Sequence, residues 1–277
     1  MKTILFPTDF SNNAIHASEY TGMVANRMNA KVVLLNVYTV PTISEYQLPN
    51  DIENFIMQNK RIAQINLEEF TQEFLKNTGL SHDQVSIRLE YGFISDKIVE
   101  VANEIHADMI MMGTKGANNF LEKWLGTNAQ KVMKKSECPV WIIPQKAPIH
   151  PPQYFLYAAD FQEDELLVTH KIVEIAEPFG ATCTVVHIHD YFEMNVGHRI
   201  EETVHQLNEE FDEEVLSVKN LNRADIVEGL KTYIDAQKPD VLALAIHDKS
   251  IISQIFDPSI SNYFVQKANL PILTFRK

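Results

Sequence analysis

The chain is poor in cysteine, glycine and positive charge. Among its 277 residues are two cysteines and nine glycines, and 24 Lys and Arg stand against 37 Asp and Glu for a formal net charge of -13. Cys138 and Cys183 lie far apart without metal-ligand spacing, which excludes a disulfide framework or a zinc motif and fits a reducing compartment. The acidic balance repels phosphate backbones, and no basic run is longer than the pair Lys134 and Lys135, so a nucleic-acid-binding face is excluded. Long apolar runs are also missing. Only Ile4, Leu5 and Phe6 precede Pro7, too few for a signal peptide, and no later stretch approaches the roughly 20 apolar residues of a membrane span. These absences lead us to expect a cytoplasmic protein with neither nucleic acid nor membrane as partner.

What the chain does have is repetition. "KTILFPTDFS" aligns with "QYFLYAADFQ", pairing Asp9 with Asp160 and Phe10 with Phe161, and the same offset of 151 pairs "VANRMNAKVVLLNVY" with "IAEPFGATCTVVHIH". Further on, "ADMIMMGTKG" falls on "PDVLALAIHD" and "SECPVWIIP" on "ANLPILTFR" at an offset of 132, pairing Asp108 with Asp240 and Pro139 with Pro271. The offsets differ by 19, so copy one is longer in its middle, and the surplus is expected around Pro41 to Phe55. "PQKAPIHPP" carries Pro144, Pro148, Pro151 and Pro152, which suit a linker and neither a helix nor a central strand. The expected domains are residues 1–147 and 148–277.

Within copy one, "TILFP" and "KVVLLNVY" are short apolar runs suited to strands buried on both faces, and "QVSIRLEY" puts Val85, Ile87 and Leu89 on one side of a third. Ser11 is expected to cap a helix with Ala14, Ala17, Thr21, Val24 and Met28 inward, and Ser95 another with Ile98, Val101, Ala102 and Ile105 inward. "DMIMMG" and "VWIIP" supply strands four and five. The fold class is therefore α/β, a doubly wound five-stranded parallel sheet, Rossmann-like, present twice in tandem.

Ligands of such sheets bind beyond the carboxyl ends of the strands, where the strand order reverses, here between strands one and four. Strand one ends at Pro7, Thr8 and Asp9; strand four ends at Met112 and Gly113. The stretch "GTKGANNFLEKWLGTNAQK" that follows holds three glycines in nineteen residues, spaced Gly-x-x-Gly, nine residues, then Gly-Thr. Gly113 and Gly116 let a backbone turn and approach a ligand closely, and Gly126 and Thr127 start a helix whose free N–H groups suit phosphate. The pattern is neither a Walker P-loop nor a dinucleotide fingerprint. Each member also has a plain reading: glycines form turns, Asp9 can cap a helix, Lys115 can simply be solvated, and Phe120, Trp124 and Leu125 suit a lid, a dimer contact or a small helix packed on its own domain.

This spacing, with "PTDFS" ending strand one, "CPVWIIP" closing the domain and the Gly-x-x-x-x-x-x-Ile-x-x-x-Ala stretch in "YGFISDKIVEVANE", resembles the universal stress protein family in its ATP-binding branch. The resemblance covers essentially the whole chain as a tandem pair. It implies that Asp9, after Pro7 and Thr8, meets the adenine side of a nucleotide, that Val37 lines the base, and that Met112, Gly113, Gly116, Gly126, Thr127 and Asn128 hold ribose and phosphates. ATP, with Mg2+, is the cofactor it implies, in a stress-response protein acting as a nucleotide-dependent signalling or regulatory module. It also implies that "PVWIIP" and "PILTF" pair as edge strands in an intramolecular pseudo-dimer, with a further homodimer left open.

No nucleophile elbow, metalloprotease motif or evident general base occurs, so any turnover would be slow ATP hydrolysis in the same pocket. Copy two replaces Gly113, Gly116, Gly126 and Thr127 by Ala245, Asp248, Pro258 and Ser259, and is not expected to bind ATP in this manner. It does gather Asp160, His187, His189, Asp190, His247 and Asp248 near its strand ends, which leaves open a metal or another small ligand. Against a metal we expect His187 and His189 to point to opposite faces of their strand, out of reach of one ion. A hydrogen-bonded cluster is the plainer reading.

Overall fold

The computed structural model describes residues 1–39, 49–114, 125–161, 164–189, 197–246 and 269–277. Two compact units divide between Gln145 and Lys146. In the first, parallel strands β1 (Thr3–Pro7), β2 (Lys31–Tyr38), β3 (Val85–Tyr91), β4 (Met109–Gly113) and β5 (Val140–Ile143) lie in the order β3-β2-β1-β4-β5. The central strand carries Ile4, Leu5 and Phe6, each fully buried, as a strand covered on both faces requires. Edge strand β3 differs: its Ile87 is exposed and the expected apolar side is only half covered.

Helix α1 (Asn12–Met28) begins where the sequence places it. Ser11 is extended, at φ -68° and ψ 160°, and its hydroxyl accepts from the Ala14 N–H, satisfying one of the donors a helix start leaves over. Ala14, Ala17, Thr21 and Val24 are buried, and Met28 is half-buried. Helix α3 (Ile94–Glu104) corrects the second expected cap: Phe93 is the N-cap, without a side-chain bond, and Ser95 is buried in the first turn. Ile98, Val101 and Ala102 do face inward, while Ile105 lies just past the helix end. The remaining helices are α2 (Pro49–Thr78) and α4 (Thr127–Lys135).

The second unit repeats the plan. Its parallel strands β6 (Tyr154–Ala159), β7 (Thr182–His189), β8 (Leu216–Asn222), β9 (Val241–Ile246) and β10 (Ile272–Arg276) run in the order β10-β9-β6-β7-β8, and its described helices are α5 (Glu165–Ala176), α6 (Gly197–Glu210) and α7 (Ile226–Gln237). The surplus of copy one falls before the third strand, where α2 has 30 residues and α6 only 14. Of the expected surplus, residues 41–48 lie outside the described residues and 49–55 form the first turns of α2.

The repeat is physical as well as textual. Phe10 and Phe161, aligned by sequence, both take positive φ, 62° and 49°, so the same turn follows the first strand of each unit. Asp108 accepts from the Thr3 N–H at 2.6 Å, and its counterpart Asp240 accepts from the Gln153 and Tyr154 N–H groups at 2.8 and 3.0 Å. These two aspartates join strand four to strand one at the end away from the candidate site, so they serve the fold.

Candidate functional site

In the first unit the sheet order makes β1 and β4 neighbours, pairing Ile4 with Met109 and Leu5 with Ile110. That pairing brings Pro7, Thr8 and Asp9 beside Met112 and Gly113. Thr8 is buried and held on three sides: its N–H donates to the Leu35 carbonyl, its hydroxyl accepts from the Phe10 N–H, and its carbonyl accepts from Asn36 Nδ2 at 2.8 Å. Asn36 escaped sequence reading, since one amide inside an apolar strand gives no signal until its partner is known. Val37 follows it, buried, near the end of β2.

Asp9 is exposed, and its Oδ1 accepts from both the N–H and the hydroxyl of Ser11, at 3.1 and 2.6 Å. The two expectations for this residue meet here. Ser11 makes the cap, and Asp9 orients the Ser11 hydroxyl while still lying at the end of β1.

Gly113 has a structural use beside the expected one. It is absent from the positive-φ residues, and a Cβ built on it would lie 2.9 Å from Asn13 Nδ2. Asn13 is buried and donates from that nitrogen to Thr114 Oγ1 at 3.3 Å. The missing Cβ thus leaves room for an asparagine that ties α1 to the end of β4. Gly113→Ala is expected to lower the stability of the first unit by about 1–2 kcal/mol, through crowding and the displaced hydrogen bond. Urea unfolding checks it: the same change made on Asn13→Ala protein should cost less than half as much, and equal costs would show that Asn13 is not what Gly113 accommodates.

The third glycine comes back to the same place. The Gly126 N–H donates to the Thr114 carbonyl at 2.5 Å, which sets the start of α4 against the end of β4. Gly126 is the N-cap, extended at φ -66° and ψ 152°, so the cap itself brings no side chain to the first N–H groups of α4, whose first turn carries no acid. Lys134 and Lys135 occupy its last turn. The negative end of the helix dipole is complemented by these lysines, and the cap and first turn bring no acid to the positive end. Thr127 and Asn128 are exposed in that first turn. Gly116, with Lys115, Phe120 and Trp124, lies outside the described residues, whereas Leu125 is fully buried.

In the second unit the corresponding strand ends are bridged by buried side chains. Beyond the ends of β6 and β9, Lys277 Nζ lies 3.1 Å from Asp160 Oδ1 and 2.8 Å from Glu165 Oε2. Glu165 Oε2 also accepts from the Tyr157 hydroxyl at 2.6 Å, and its Oε1 accepts from the Phe161 N–H. Lys277 and Glu165 side chains are only 6% and 2% exposed. Burial raises the Glu165 carboxyl from its ordinary value of 4.5, with Lys277 acting the other way, and burial beside this carboxylate holds the Tyr157 phenol well above 10.

The histidine expectation is corrected. Residues i and i+2 of a strand share a face, and the rings of His187 and His189 stack with centroids 5.6 Å apart and 15° between planes. His187 is buried, with Nδ1 3.0 Å from the Ala159 carbonyl. Among the described residues no group of three or more His, Cys, Asp or Glu is placed to hold a metal ion, and Asp190, His247 and Asp248 lie outside them. No helix among the described residues is long and apolar enough to cross a membrane.

Comparison with known proteins places this geometry. The universal stress protein family model matches twice, over residues 1–144 and 153–276. A Staphylococcus aureus (strain USA300) protein that carries the universal stress protein name is 31% identical over 143 residues, covering 51% of this chain and 83% of that protein. Among solved structures, a universal stress protein from Archaeoglobus fulgidus matches 99% of this chain and 98% of its own with a TM-score of 0.74 at 15% identity, a likeness of fold. A Pseudomonas aeruginosa PAO1 protein of unknown function matches 100% of this chain and 92% of its own at a TM-score of 0.59. The chain belongs to the universal stress protein family, whose domain it carries twice in tandem.

Proposed function

We propose that the first unit binds ATP, with Mg2+, and that the protein serves as a nucleotide-dependent regulatory module of the stress response in the cytoplasm. The observation that carries this is the glycine-capped start of α4, tied by the Gly126 N–H to the end of β4 at the strand-order reversal. A helix start with free N–H groups, a local positive dipole and a hydroxyl beside it suits a phosphate chain in a protein too acidic to hold one by net charge. In this reading Thr127 and Asn128, with Gly116, take the phosphates, Met112 and Gly113 lie under the ribose, and Asp9 and Val37 flank the base. Mg2+ would neutralise phosphate charge. The Cys138 and Cys183 thiols, both free, suit a reducing cytoplasm.

Calorimetric titration of the full chain with ATP and magnesium, beside mass spectrometry of small molecules released on denaturation, tests the proposal. Saturable binding at one site or a co-purified adenine nucleotide supports it. Neither of them appearing would sink it.

A further inference from the structure

Lys277 connects three elements of the second unit. Its backbone N–H donates to the Ile246 carbonyl at the end of β9, and its side chain then reaches across to Asp160, just after β6, and to Glu165 at the start of α5. In the order β10-β9-β6-β7-β8 the strand sequence reverses between β9 and β6, which is where an open α/β sheet receives its ligand. Of the two carboxylates that Lys277 engages, Asp160 is the sequence counterpart of Asp9. Applying the two repeat offsets, the counterparts of Tyr157, Glu165 and Lys277 are Phe6, Ala14 and Gln145, so copy one has an apolar ring, a methyl and an amide where copy two has a phenol, a carboxylate and an ammonium.

We propose that Lys277 is a built-in occupant of the second unit's ligand position, closing that crevice from within so that the second unit takes no nucleotide. The geometry is that of a bound cation: two carboxylates grip one ammonium, and Glu165 accepts two further hydrogen bonds, from the phenol and a backbone N–H. A nucleotide entering here in the pose given to the first unit would bring its base against Asp160, and would have to displace the ammonium and leave two carboxylates without this cation. The inference concerns the second unit and does not depend on ATP binding by the first.

The test is lysine reactivity in the folded full chain. With an amine-acylating reagent read by mass spectrometry, Lys277 is expected to react at least about tenfold more slowly than the exposed Lys60 and Lys76, because a side chain 6% exposed and gripped by two carboxylates does not meet the reagent. Glu165→Gln should raise its rate several-fold, and Lys277→Arg, which preserves charge, should fold as a control. Lys277 reacting as fast as Lys76 would overturn the proposal. Titration with ATP and magnesium gives a second arm: one nucleotide per chain agrees, and two per chain overturns it. A stoichiometry of none sinks the nucleotide reading alone, and the acylation rates then decide this one.

Discussion

Lys277→Met is expected to destabilise the second unit by about 3–5 kcal/mol at neutral pH, the usual cost of removing one partner of a buried ion pair. The side chain removed is 6% exposed and lies against a carboxylate that is 2% exposed, so water cannot replace the lost ammonium. Glu165 limits the damage by taking up a proton, and this sets the pH dependence. Its folded pKa already exceeds the ordinary 4.5, so the folded chain holds this proton more tightly than the unfolded chain does. That contribution to stability is complete below about pH 4.5 and is lost as the pH rises through the folded value. Removing Lys277 takes away the influence that lowers the Glu165 pKa, so the variant's deficit should be small in acid and grow towards neutrality. Adding Glu165→Gln should restore part of the loss, since the more deeply buried of the two carboxylates left behind is then uncharged and only Asp160, 16% exposed, keeps its charge. Urea unfolding at several pH values measures all three proteins. A deficit below about 1 kcal/mol at neutral pH would place the ammonium in water.

How much of this was legible in the sequence depended on how far apart the interacting residues are. The strands, the repeat and the Ser11 cap were readable because periodicity and capping are local signals, spanning a few residues. Ser95 gives the same local signal without being a cap: a serine in the first turn and one just before it look alike without backbone angles. The histidine pair was a misapplied period, since residues two apart on a strand share a face. The Asn13 contact under Gly113 joins residues 101 apart, and the Lys277 contacts span 117 and 112. Such pairs become visible only when the sheet order brings the strand ends together. Copy two gave one clue in Glu165, a carboxylate where copy one has Ala14, but nothing local named its cation.

Gly126→Asp should separate what the helix needs from what the nucleotide needs, because its expected effects have opposite signs. Gly126 is already extended at φ -66° and ψ 152°, a conformation aspartate takes without strain, and its position is the N-cap. A carboxylate there can accept from the N–H groups of the first turn of α4 and meet the dipole favourably, so stability should rise by a few tenths of a kcal/mol. The same carboxylate consumes the donors assigned to the phosphates and puts a negative charge among them. At about 4 Å and an effective dielectric near 20, like charges cost about 4 kcal/mol, and screening still leaves an affinity loss of at least about a hundredfold. Gly126→Asn supplies the cap without the charge and should fall between wild type and Gly126→Asp in affinity while matching the gain in stability. Calorimetric titration with ATP and magnesium beside thermal unfolding checks both signs. If Gly126→Asp binds as tightly as wild type, phosphate is not held at the start of α4. Weaker binding with lower stability would instead mean that the substitution disturbed the junction between Gly126 and Thr114. A more stable helix that binds a hundredfold less nucleotide is the outcome only an occupied helix start produces.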